Sequence, residues 1–158
     1  ADGALVGVLG PEGRALSAPS GAGFAAQNWL ENDGDLVTQK AAADRSGMEG
    51  ALGARRFLVA GVTGVALKGK GSLTRLAEAC AGADLVVISV PVPDAPKECV
   101  EFDPDRLRQT GTLALYPGEG GLRVVPTFGA RRAWSSPRDP TSLATLIRPR
   151  PDRIAMGQ

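Results

Sequence analysis

The sequence predicts a mixed α/β domain, a β-sheet of short strands carrying short helices, on three observations. The continuous apolar run from Asp84 to Val90 (Asp-Leu-Val-Val-Ile-Ser-Val) reads as a central buried strand. Between Ser72 and Ala81, the apolar residues Leu73, Leu76, Ala77 and Cys80 fall at helical spacing. The 21 glycines and 12 prolines in 158 residues demand many turns between short elements, which excludes a helical bundle.

The elements follow in order. Leu5 to Leu9, Pro11-Glu12-Gly13 and Arg14 to Ser17 read as a β-hairpin. Gly21 to Gly23 break the chain, Phe24 to Leu30 suit a short helix, and Asn32-Asp33-Gly34-Asp35 end it. Thr38 to Arg45 can add a helical turn or two, and Ser46 to Ala54 reads as loop. Arg56 to Gly61 and Gly64 to Leu67 read as strands around a Gly-Val-Thr-Gly turn. Ser72 is the expected cap of the helix that Gly82 stops. After the apolar strand, Pro91, Pro93 and Pro96 mark a loop, and Val100 to Phe102 a short strand. Asp103-Pro104 combines a preferred N-cap with proline at the first helical position, so a helix runs to Gly111. Thr112 to Tyr116 and Leu122 to Pro126 form a hairpin over Gly118-Glu119-Gly120-Gly121. The expected organisation is one α/β domain over 1–129 and a basic, proline-containing tail over 130–158, within which Leu143 to Ile147 could dock on the core.

Composition narrows the chemistry. The hydrophobic fraction is 43% but aromatics are only 4%, so the core is built of Val, Leu and Ala. With a formal net charge of +1, nothing in the overall balance calls for nucleic acid or an anionic membrane. There is no histidine, so histidine-based catalysis and histidine-ligated metal sites are excluded. No cofactor is expected, and no apolar run is long enough to span a bilayer. Because the chain opens on Ala1, it is read as a fragment, and a missing targeting signal is uninformative.

Several constellations invite a functional reading. Gly64-Val-Ala-Leu-Lys-Gly69-Lys70-Gly71-Ser72 nearly spells a phosphate-binding loop. Such a loop needs Ser or Thr directly after its lysine to hold Mg²⁺, and here Gly71 stands there. Nucleotide binding at Gly69-Lys70 is thus an alternative weighed against a hairpin and helix start. Glu31, Asp33 and Asp35 form a local acidic cluster, but a calcium loop would need glutamate where Lys40 stands, and a solvated turn explains them. A carboxylate-only Mg²⁺ nuclease would draw on Asp33, Asp35, Asp84 and Glu101. In the tail, Arg131, Arg132, Arg138, Arg148, Arg150 and Arg153 face only Asp139 and Asp152, a set that could track DNA phosphates or merely solvate a linker.

Several stretches, in order, resemble the C-terminal soluble region of the ComEC family of DNA-uptake channels in its alphaproteobacterial form. They are Leu5 to Ser17, Phe24 through Trp29 to Asp35, Cys80-Ala-Gly-Ala-Asp-Leu-Val-Val, Cys99, Phe102 to Leu115, Gly121-Leu-Arg-Val-Val and Arg132-Ala-Trp134, together covering about residues 4–136. The resemblance implies a domain of a multi-pass inner-membrane protein that carries single-stranded DNA into the cell. Many members end in a metallo-β-lactamase-like domain, and this chain resembles a shortened, degenerate form of it. That fold's His-x-His-x-Asp-His metal motif has no match here, so no catalytic residue carries over. The expected function is a non-catalytic accessory domain on the periplasmic side. Its expected partners are single-stranded DNA, the channel part of the same parent protein and other competence proteins.

Cys80 and Cys99 are the only cysteines, so one intrachain bridge is possible. To form it, Pro91 to Glu98 must fold back along the strand, roughly 20 Å at 3.3 Å per residue, which eight extended residues just cover. The periplasm is a compartment where such a bridge persists. The competing reading is two buried free thiols, with Cys80 on the apolar face of its helix.

Overall fold

The computed structural model of the chain describes residues 2–127 and 146–154. It is a mixed α/β structure with three small sheets and a few short helices. Strands β1 (Gly7–Gly10) and β2 (Gly13–Leu16) form the expected hairpin over Pro11-Glu12. Helices α1 (Gly23–Asn32) and α2 (Gln39–Ala43) pack on it, and Leu16, Ala26, Leu30, Ala42 and Ala43 make a small separate core. Thr38 caps α2, its hydroxyl accepting from the Ala41 N–H at 3.2 Å.

The main sheet has the order β3 (Ala54–Val59), β4 (Val62–Leu67), β5 (Leu85–Ile88), β6 (Val100–Phe102). β3 and β4 are an antiparallel hairpin, whereas β4, β5 and β6 run parallel. Helix α3 (Ser72–Gly82) makes the first parallel crossover. The second is made by the proline-rich loop alone, with no helix.

Alternation along the strands gives the sheet two buried faces. Val65, Leu67, Val86 and Ile88 pack on α3 through Leu76 and Cys80. Phe57, Val62, Leu85 and Phe102 face the other way. They meet Leu107 of α4 (Pro104–Thr110) and the third sheet, β7 (Leu113–Gly118), β8 (Gly121–Pro126) and β9 (Leu146–Ile147). A four-residue helix, α5 (Pro151–Ile154), follows. Burial on both faces explains why Asp84 to Val90 reads as an unbroken apolar run.

Two expectations need correction. The β3–β4 turn is centred on Ala60-Gly61, not on Gly61 to Gly64. Both residues have positive φ (49° and 78°), the conformation whose twist matches a two-residue hairpin. Gly64 belongs to β4, where the Phe57 ring from the opposite strand lies over it; a Cβ there would stand 2.1 Å from that ring. Ser72 is not the cap of α3: Gly71 holds that position without a side-chain bond, and buried Ser72 donates back to the Gly69 carbonyl at 2.6 Å. In the C-terminal segment, the described end of the Leu143 to Ile147 stretch does dock on the core. β9 pairs with β8, and Ile147 is fully buried in the main core.

Candidate functional site

The parallel strands give the sheet two chemically different edges. At the amino-terminal edge, where β4, β5 and β6 begin, Asp84 sits buried just before β5. One carboxylate oxygen accepts from the Thr63 N–H at 2.9 Å and the other from the Arg150 N–H at 2.9 Å. The backbone of Asp84 continues the ladder on both sides, to Thr63 and Val100. Asp84 thus splices three strands and the C-terminal segment together.

The Arg150 side chain completes this edge. Its Nη2 donates to the Ala81 carbonyl at 2.7 Å and its Nη1 to the Glu98 carbonyl at 2.6 Å. Cys80 and Cys99, the immediate neighbours of those two residues, are joined in a disulfide with Cα atoms 5.2 Å apart. The loop therefore does fold back along β5, as the bridge requires. Beside the bridge, a shallow groove of about 560 Å³ runs between α3 and the loop, lined by Leu73, Leu76, Ala77, Val92, Pro93 and Pro96.

On the α3 face of β6 lies a buried acidic pair. The Asp103 carboxylate caps α4 by accepting from the Arg106 N–H and braces the loop by accepting from the Val92 N–H, both at 2.9 Å. Glu101 is 3% exposed, and its Oε1 has no hydrogen-bond partner among the described residues. Burial, together with the charge of Asp103, pushes its pKa up to about 6 against the partial relief of Arg106.

The carboxyl-terminal edge is where open α/β sheets take ligands. The Gly69-Lys70 loop does lie there, between β4 and α3. Two groups of this stretch are engaged: the Gly69 N–H donates to the Ser89 hydroxyl at 3.0 Å, and Lys68 donates to the Ser20 carbonyl at 2.8 Å.

No known family model, curated protein or solved structure matches the chain.

The carboxylates considered for a metal are not brought together. Asp33 pairs with Arg14 through two bonds of 2.6 and 2.9 Å, and Asp35 pairs with Arg45 at 2.5 Å. The Arg45 guanidinium holds the Asp35 carboxyl below its ordinary value, and Ser46 does the same for Glu12. Glu31 accepts from Gln27 within α1. These pairs tie the first hairpin to the two helices, while Asp84 and Glu101 belong to the main sheet. No group of three or more Cys, Asp or Glu able to hold a metal occurs among the described residues.

Of the six tail arginines, Arg131, Arg132 and Arg138 lie outside the described residues, as does the side chain of Arg153. Arg148 is exposed. Arg150 is withdrawn from the set, because its guanidinium is committed to two backbone carbonyls. The sequence reading missed that role. Its only trace was a buried strand opened by a charged residue, Asp84, which needs partners from somewhere.

Proposed function

We propose that this chain is a non-catalytic accessory domain of a membrane DNA-uptake channel, facing the periplasm and touching incoming single-stranded DNA through its C-terminal arginines. The observation that carries this reading is the Cys80–Cys99 disulfide, a bond that persists in oxidising compartments. The resembling segments support it, since they include β1, β2, most of β5 and β8, half of β7, the helix cap at Asp103-Pro104 and both cysteines. The succession of buried strand, loop, helix and hairpin is also how the end of a metallo-β-lactamase-like fold runs, so we read this domain as a shortened, degenerate copy of that scaffold. No helix among the described residues is long and apolar enough to cross a membrane; the reading places the spans elsewhere in the parent protein.

The test is fluorescence anisotropy of a labelled single-stranded 20-mer with the purified chain. Binding is expected to be weak, independent of sequence and steeply salt-dependent. If Arg131, Arg132, Arg138, Arg148 and Arg153 all contact phosphate, the log–log slope reaches about −3.5. Changing those five to glutamine should abolish binding while leaving the thermal unfolding of the chain in place. Deleting 130–158 is the poorer test, because it also removes β9 and Arg150. No binding at 20 mM salt, or cleavage of the strand with Mg²⁺ or Mn²⁺, would overturn the proposal.

A further inference from the structure

We propose that the Cys80–Cys99 disulfide and the docking of the C-terminal segment form one redox-set latch, with Arg150 as the residue that couples them. Three placements carry this. The guanidinium binds the carbonyls of Ala81 and Glu98, each next in sequence to one of the bridged cysteines. The covalent bridge and the cation therefore span the same gap, between the end of α3 and the residue before β6. A guanidinium is a rigid planar fork, so it can serve both carbonyls only while they are held at a fixed separation. The disulfide provides that separation. The backbone of the same residue is fastened to Asp84, and Pro149 packs 3.5 Å from where a Cβ on Gly61 would stand, so the segment lies along the amino-terminal edge. A cation beside the Ala81 carbonyl also meets the negative end of the α3 dipole.

The switching step is thiol–disulfide exchange with a dithiol. Its thiolate attacks the sulfur of Cys99, which is partly exposed where Cys80 is buried. The Cys80 sulfur leaves as a thiolate and takes a proton. The second thiol of the reagent then displaces Cys99 and becomes oxidised with the first. Two electrons and two protons pass from the dithiol to the pair. Once the bridge is open, the loop that carries Glu98 is no longer tied to α3. Arg150 keeps Ala81 but loses its second acceptor, and the segment from Arg148 onward detaches from the sheet edge. The redox state of the surroundings then sets whether the basic C-terminal segment is held or free. This holds whatever the domain is attached to, and does not rest on the DNA reading.

Coupling of this kind is reciprocal. The factor by which the disulfide tightens docking must equal the factor by which docking raises the effective concentration of the two thiols. Both can be measured on the full chain. Hydrogen exchange of the Arg150 amide, which donates to Asp84, reports docking and should accelerate about 5- to 150-fold when dithiothreitol reduces the protein, the usual range of such couplings. In Arg150→Ala, which keeps the backbone bond to Asp84, the effective concentration of the thiol pair, from equilibrium with glutathione, should fall by up to that factor. Arg150→Lys, a point donor that cannot fork to two carbonyls, should recover only part. Equal Arg150 exchange in the two redox states, or an unchanged thiol equilibrium in Arg150→Ala, would overturn the latch. Should reduction unfold the chain altogether, the oxidised proteins decide. Arg150→Ala must then be reduced by dithiothreitol faster than Arg148→Ala, and equal rates would overturn the proposal.

Discussion

Glu101 is a buried carboxyl whose charge state bears on stability. Its pKa is raised from 4.5 to about 6, so the folded protein binds a proton more tightly than the unfolded chain. The stabilising contribution of the protonated form is complete below pH 4.5 and is lost as pH rises through 6, a change of about 2 kcal/mol. Urea midpoints should therefore decline over that window. Glu101→Gln, which keeps the shape without the charge, should flatten the decline and raise stability at pH 7.5 by about 1–2 kcal/mol. An unchanged pH profile in the variant would show that another group is responsible. As a sequence letter, Glu101 was legible only as a spare carboxylate in a strand. What makes it unusual is its burial beside Asp103, and no local pattern records that. Asp84 fails in the same way: its neighbours Thr63 and Arg150 are far along the chain in opposite directions.

At the scale of elements, the sequence was most readable where a side chain performs a local task. Asp103-Pro104 announces α4 because the cap and the fixed φ of proline both act within one turn. The second task of Asp103, bracing the Val92 N–H, is non-local and was not visible. Asp103→Ala should cost about 2–4 kcal/mol, the lost cap plus a part-buried N–H left unbonded, whereas Asp103→Asn should cost less because it keeps an acceptor. Chemical denaturation separates the two. The β3–β4 turn was misplaced because alanine occupies a position that usually signals itself as Asn or Gly. Ala60 at φ 49° is strained, so Ala60→Asn should raise stability by on the order of 1 kcal/mol and raise the melting temperature accordingly. Leu143 to Ile147 was legible as a segment that could dock on the core but not as a strand, because two residues have no period to detect.

For the molecule as a whole, the fold class was legible because buried parallel strands and turn-rich connections leave strong compositional marks. The meeting of the two larger sheets over Phe57, Phe102, Leu122 and Ile147 was not, since it depends on which faces are left apolar after α3 has covered one. The second parallel crossover lacks a helix to stiffen it, and the disulfide and Arg150 take that place. Reducing the bridge should lower global stability by about 3 kcal/mol by the chain-entropy model for a 19-residue separation. Urea unfolding with and without reductant measures this, and identical midpoints would show that the closure adds nothing to the folded state.

The outer strand of the main sheet has a consequence for how the molecules behave in a crowd. β3 offers its backbone to solvent on one side, with Leu58 exposed, which is a template for aggregation by strand addition. Glu49 occupies part of that template, exchanging both backbone bonds with Arg56 at 2.7 and 2.9 Å, and Ala51 accepts from the Ala54 N–H. By alternation along the strand, the next outward pair is that of Leu58 alone. Arginines at 55 and 56 add like charges that repel a second copy arriving in register. The loop before β3 thus serves as a plug, and it keeps an edge that the fold could not close from recruiting its neighbours.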